Sequence, residues 1–136
     1  MQNIQLLETR KLPRDQVLEL YTANKWSSAG KPDKLMHHLT TSHALVSAWD
    51  GSKLVGLGNT LSDGQLVAYY SHLLVLPEYQ GRGIGAAIIR QLMTRYADFH
   101  QQVLLGAGEA VGFYCKLGFE RAGDTEPMWI FRGNEH

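Results

Sequence analysis

The sequence predicts a mixed α/β domain in which antiparallel strands lead through a glycine-dense turn into a helix that crosses to a parallel strand. Asp50-Gly51 and Asp63-Gly64 each separate apolar, strand-prone segments, and this dipeptide favours tight hairpins because it accepts positive φ. Leu73–Leu76 is a continuous apolar run, as expected of a strand buried on both faces, and it leads within a few residues into Gly81-Arg82-Gly83-Ile84-Gly85. From that turn onward Ile84, Ile88, Leu92 and Tyr96 recur every fourth residue with Ile89 and Met93 beside them, so a helix begins inside the glycines.

The elements follow in order. Ile4, Leu6 and Leu7 open with a strand, and Pro13 starts a helix whose apolar stripe is Val17, Leu18, Leu20 and Tyr21. Residues 26–32 read as a loop, and a short helix over 33–39 buries Leu35, Met36 and Leu39. Strands over 44–49 and 54–58 form the first hairpin. The strand over 66–76 follows the second Asp-Gly turn and stops at Pro77, which has no backbone N–H to donate. After the long helix a parallel strand is expected over 102–105, then a helix over 109–117 capped by Gly118, then short strands around 119–122 and 128–132. No linker, repeat or low-complexity segment interrupts this course, so residues 1–136 read as one domain.

Hydrophobic residues make up 44% and charged residues 19% of the 136 positions, which suits an ordinary globular protein with one continuous core. Thirteen basic and thirteen acidic side chains cancel, and no basic run is present, which argues against a nucleic-acid or anionic-membrane partner. The single cysteine, Cys115, has no partner for an internal disulfide, and no stretch has the leader or membrane-spanning pattern, so the expected compartment is the cytoplasm. Cys115 falls in an apolar helical stretch and reads as a small buried thiol. His37, His38 and His43 lack the i, i+4 pairing or cysteine neighbours of a metal site. They read as solvated or capping residues, and no metal is expected.

A helix start leaves its first N–H groups unpaired and carries partial positive charge, which favours an anion there. Gly81, Gly83 and Gly85 lack a Cβ, so a pyrophosphate can approach the backbone, while Arg82 adds formal charge and Gln80 an amide donor. The same glycines would also serve a tight turn alone. No Gly-Lys-Ser/Thr closes the run, which disfavours a P-loop. Gly81, Gly83 and Ala86 fit the dinucleotide fingerprint, but it lies after several strands and leaves no room for a second mononucleotide half.

Gln80-Gly81-Arg82-Gly83-Ile84-Gly85-Ala86 resembles the pyrophosphate-binding signature Gln/Arg-x-x-Gly-x-Gly/Ala of the GNAT superfamily of acyl-CoA-dependent N-acyltransferases. Glu109-Ala110-Val111-Gly112-Phe113-Tyr114-Cys115-Lys116-Leu117-Gly118-Phe119 is similar to that family's late helix, which ends in Phe-Tyr-x-Lys-Leu-Gly-Phe. The order and separation of the two motifs match, so the resemblance covers nearly the whole chain. It implies a mostly antiparallel sheet with a splayed parallel pair, whose wedge takes the pantetheine arm of acetyl-CoA. It also implies an N-acetyltransferase that moves the acetyl group to a primary amine of a small molecule or peptide by direct attack, and, by analogy with many small members, a homodimer.

On this resemblance Gln80, Gly81, Arg82, Gly83, Ile84, Gly85 and Ala86 anchor the cofactor, and main-chain groups of Leu73, Leu74 and Val75 hold the pantetheine and the carbonyl. Tyr114 is the implied general acid, since a phenol stays protonated near pH 7 until a thiolate appears; a packed core tyrosine is the alternative. Phe113 and Lys116 flank it, the first suited to packing and the second to a CoA phosphate or an exposed face. His72, at the start of the acetyl-binding strand, is the candidate base if alternation turns it toward the substrate and a structural residue if not. Glu109 or a water chain are the other candidates for that role. Tyr21 and Trp26, with Met36 and Trp129, offer apolar surface for an amine with an apolar or aromatic body, or else form core. A non-catalytic acyl-CoA sensor and a dinucleotide-binding protein are the rival functions, and Tyr114 within its full motif argues against both.

Overall fold

Both Asp-Gly turns form as their chemistry dictates. Gly51 and Gly64 take φ of +61° and +78°. In the second turn Asp63 Oδ1 accepts the N–H groups of Gln65, Leu66 and Val67 at 3.1, 3.0 and 3.2 Å. These bonds, that of Leu66 first, hold the carboxyl below the usual carboxylate range. The turns join β2 (Ala44–Asp50), β3 (Lys53–Ser62) and β4 (Val67–Val75). In this computed structural model, which describes residues 3–133, β1 (Ile4–Leu7) adds an antiparallel edge to β2 and β5 (Gln101–Leu104) a parallel edge to β4. The sheet order is β1-β2-β3-β4-β5.

The helices are α1 (Arg14–Ala23), α2 (Pro32–Thr40), α3 (Ile84–Met93) and α4 (Ala110–Lys116). Val17, Leu20 and Tyr21 of α1, Leu35 and Leu39 of α2, and Ile84, Ile88, Ile89 and Leu92 of α3 are buried, as their spacing predicts. Leu18 and Met36 pack against the core only partly buried. The expected loop over 26–32 contains a short 3₁₀ turn, Ser27–Gly30.

Helix α3 lies close on β3 because two glycines leave it room. A Cβ at Gly58 would stand 2.8 Å from Ile88 Cγ2 and 3.3 Å from Leu92 Cδ1, and one at Gly56 would stand 3.4 Å from Ile88 Cδ1. Gly58→Ala is therefore expected to destabilise the fold by about 1–3 kcal/mol through overpacking, read as a lower urea midpoint. An unchanged midpoint would contradict this packing.

Two features of β4 build the site. It pairs with β5 only over Val67–Tyr70, after which β5 ends and the two strands part, the splay that the resemblance implies. Against β3 the register steps between His72↔Asn59 and Tyr70↔Thr60, leaving Ser71 as the extra residue of a β-bulge.

Three expectations are corrected. Residues 119–122 and 128–132 form no strands: neither segment makes a ladder with β5, and β-prone composition does not make a strand without a partner. Phe119 instead turns inward onto the rings of Tyr70 and Tyr114, while Met128, Trp129 and Ile130 are exposed. Cys115 is exposed, because α4 docks through Val111 and Tyr114 and the next residue lies a quarter-turn round the helix. His43 is half-buried and bonded inward: its Nδ1 lies 2.8 Å from the hydroxyl of the buried Tyr96.

Candidate active site

At the end of β4 the chain turns into α3 through Gly81 and Gly83, which take φ of +79° and +83°, with no described residue within 4 Å of where either Cβ would stand. Gly83 is the N-cap, and its carbonyl accepts the Ala87 N–H at 3.1 Å. The N–H groups of Ile84, Gly85 and Ala86 thus precede the first intrahelical bond and point out of a positively polarised helix end. Gly81, Arg82 and Gly83 are exposed, whereas the Ile84 side chain is buried. The turn is a backbone cradle with an open mouth.

The side chains expected to help it are engaged otherwise. Gln80 Nε2 donates to the Val75 carbonyl at 2.9 Å and to Asn24 Oδ1 at 3.2 Å, so Gln80 pins the turn to β4 instead of presenting a donor at the mouth. Asn24 completes the pin by donating to the same Val75 carbonyl at 3.1 Å. Arg82 donates to the Glu78 carbonyl at 2.8 Å and covers the Tyr79 ring at 4.9 Å, leaving its charge beside the mouth.

Along β4, Leu76 N–H donates to the Val55 carbonyl on β3 at 2.8 Å. By alternation the main-chain groups of Leu74 also face β3, which removes Leu74 from the main-chain contacts the resemblance implies. Those of Leu73, and the Val75 N–H, face the wedge. Across it, Phe113 Cζ would lie 3.6 Å from a Cβ on Gly85, so α4 meets the first turn of α3 here. Tyr114 packs its ring edge-on to Phe113 at 5.0 Å and lies against Gly106 just past β5. Burial holds its phenol above the ordinary value. Lys116 and Glu109 are exposed.

The bulge decides which way His72 points. Tyr70 faces Tyr96 and Phe119, while Ser71 and His72, consecutive residues, both face α1 and α2. His72 Nδ1 lies 2.7 Å from the hydroxyl of Tyr21, with the rings of Trp26 at 5.0 Å and His38 at 4.7 Å. Tyr21 is fully buried, and burial keeps its phenol well above the ordinary value, so it serves His72 and the core instead of lining an open mouth. Trp26 is half-buried. His38, read from the sequence as solvated or capping, lies inside this cluster: its Nε2 is 3.0 Å from Ser71 Oγ and 3.1 Å from Asn59 Nδ2. A groove of about 440 Å³ lined by Asp33, Lys34, His37, His38, Thr41 and Leu61 opens beside it.

The family model for the acetyltransferase (GNAT) domain matches residues 9–128. The chain belongs to the GNAT acetyltransferase family. Among solved structures, a GNAT-family acetyltransferase from Streptococcus pneumoniae is 29% identical with a TM-score of 0.79, over 95% of this chain and 98% of that one. Among curated proteins, an uncharacterised N-acetyltransferase, ycf52, of Pyropia yezoensis is 37% identical over 70 residues, 50% of this chain and 40% of that protein. A histone acetyltransferase, TAP1, of Glycine max is 32% identical over 87 residues, 62% of this chain and 37% of that protein. The matches thus span less than half the length of these two curated relatives.

In this GNAT domain no group of three or more His, Cys, Asp and Glu side chains is placed to hold a metal ion among the described residues. Nor is any described helix long and apolar enough to cross a membrane. Burial lowers the proton affinity of His38 below the ordinary imidazole value. The unfolded chain therefore binds the proton more readily, and stability falls as pH drops through about 6.5 toward the folded value. Urea midpoints at pH 7.5 and 5.5 are expected to show this loss, and His38→Gln to reduce it. An equal loss in the variant would contradict this assignment.

Proposed function

We propose that this GNAT domain transfers an acetyl group from acetyl-CoA to a primary amine of a small molecule or peptide. The observation that carries the reading is the backbone cradle of Gly81–Ala86 at the open end of a strand that has parted from its parallel neighbour. The residues fit the co-substrate: glycines without a Cβ and unpaired N–H groups suit a pyrophosphate, and the main-chain groups of Leu73 and the N–H of Val75 suit an amide-rich arm. Acetyl-CoA supplies the thioester and a thiol leaving group. Phe113 walls the wedge at Gly85, and Arg82 and Lys116 lie exposed for phosphate charge. A fold-level likeness supports the same reading: AAC(6')-Iy, solved with the bisubstrate analogue CoA-S-monomethyl-acetylneamine, is 14% identical at a TM-score of 0.70.

Two protons must leave the acceptor ammonium. His72 takes one from the acceptor ammonium: when its Nδ1–H is donated to Tyr21 Oη, Nε2 carries the lone pair for that proton. The amine lone pair forms the new C–N bond as the C–S bond breaks, Tyr114 gives its proton to the departing sulfur, and the second proton, shed by the nitrogen as the amide forms, returns through water to the Tyr114 phenolate. The acceptor lies on the Trp26 and His38 side of β4. Asp33 there is paired with Arg14 at 2.8 Å, so an amine with an apolar or aromatic body fits better than a polyamine. Thiol release from acetyl-CoA across a panel of aromatic amines, amino-acid amides and peptides tests this, with amine-dependent release expected. Tight CoA binding without release for any amine would favour an acyl-CoA sensor.

A further inference from the structure

Asn59 is fully buried in the middle of β3, and both ends of its amide are committed. The backbone N–H of His72 can only donate, and it lies 2.9 Å from Asn59 Oδ1. The NH₂ end is thereby turned to His38, with Nδ2 3.1 Å from Nε2, a contact that favours the tautomer in which Nε2 accepts and the proton sits on Nδ1. Ser71, aimed at the same nitrogen by the bulge, has Oγ at 3.0 Å and a hydroxyl proton free to turn toward it. A second proton on His38 would set N–H against NH₂. The chain of bonds that begins on the backbone of His72 thus ends by selecting one neutral tautomer of His38, whose ring lies 4.7 Å from that of His72 at a 48° tilt.

We propose that His38 is a positioning residue: Asn59 and Ser71 hold it as a neutral imidazole against His72, so that the proton taken from the acceptor ammonium is the one charge between the two rings. This rests on the reading of His72 as the base. A second imidazolium at this separation would repel the first, whereas a neutral ring gives His72 a polarisable wall. Among the described residues, the other titratable groups around the pair are the Tyr21 phenol from α1, Asp33, Lys34 and His37 beside the groove on α2, and Tyr69, on the same side of β4 by alternation from Tyr70.

Long-range nitrogen–proton NMR spectra of the imidazole rings test the arrangement without acetyl-CoA or amine. From about pH 5.5 to 8, His38 is expected to keep Nδ1 protonated and Nε2 bare while His72 changes state. A protonated His38 Nε2, or two rings titrating in step, would overturn the proposal. In kcat/KM, His38→Gln keeps a neutral acceptor for Asn59 but loses the ring against His72, and is expected to cost about three- to tenfold while keeping a one-proton acid limb. A folded His38→Gln protein that loses about a hundred-fold would show that a titrating imidazole is required there, and would overturn it. Asn59→Ala should steepen the acid limb to two protons, and adding His38→Gln should restore one; an unaltered slope in folded Asn59→Ala would count against the proposal. If no amine is acetylated while His38 stays neutral in the spectra, the transferase reading fails and the catalytic meaning of His38 fails with it, but the tautomer assignment stands.

Discussion

Gly83→Val is expected to weaken acetyl-CoA binding about a hundred-fold and to lower stability by about 1–3 kcal/mol. The two effects have separate causes. Gly83 takes φ +83° with no described residue close to a Cβ, so the stability cost is the left-handed backbone, which a β-branched residue tolerates badly. The affinity cost comes from a side chain standing where the anion would approach the first N–H groups of α3, and losing two charge-assisted bonds at about 1.5 kcal/mol each gives the hundred-fold. Gly51→Val is the control, since Gly51 takes φ +61° in a hairpin joining β2 and β3 and also has no described residue close to a Cβ. It should share the loss of stability and keep its affinity for CoA. Calorimetric titration with CoA alongside urea unfolding separates the two, and unchanged affinity in Gly83→Val would remove the pyrophosphate from this turn.

Tyr114→Phe is expected to lower kcat about a hundred-fold or more while CoA affinity stays within about twofold. The phenylalanine ring keeps the contacts with Phe113, Phe119 and Gly106 that dock α4, and among the described residues the Tyr114 hydroxyl makes no hydrogen bond that the change would break. Burial holds the phenol protonated across neutral pH, as a proton donor to a thiolate requires. Steady-state kinetics on a confirmed amine decide the matter. An unchanged kcat would leave Tyr114 a packing residue.

What was legible in the sequence obeys local rules. Positive φ at Gly51, Gly64, Gly81 and Gly83 follows from glycine's freedom in turns, and the buried faces of α1, α2 and α3 follow from helical spacing, so neither needs knowledge of a distant partner. The histidine cluster was hidden because it depends on a bulge. Strict alternation would put Ser71 and His72 on opposite faces of β4, and only the step in register against β3 turns both toward α2. One signal was available: Asn59 interrupts an apolar strand, and a buried amide there requires partners. Gln80 departs from its expected role because a donor near an anion site is not thereby aimed at it. Asn24, at the far end of α1, takes part in holding it to Val75.

Thermal unfolding with acetyl-CoA, CoA, NADH and ATP compared side by side tests the central claim most directly. At about a hundred times its dissociation constant, a ligand that binds only the folded chain stabilises it by about 2.7 kcal/mol. A rise in Tm with acetyl-CoA and CoA alone is predicted, because the cradle leads into a wedge shaped for an extended arm. A rise with NADH or ATP and none with either thiol cofactor would contradict the account.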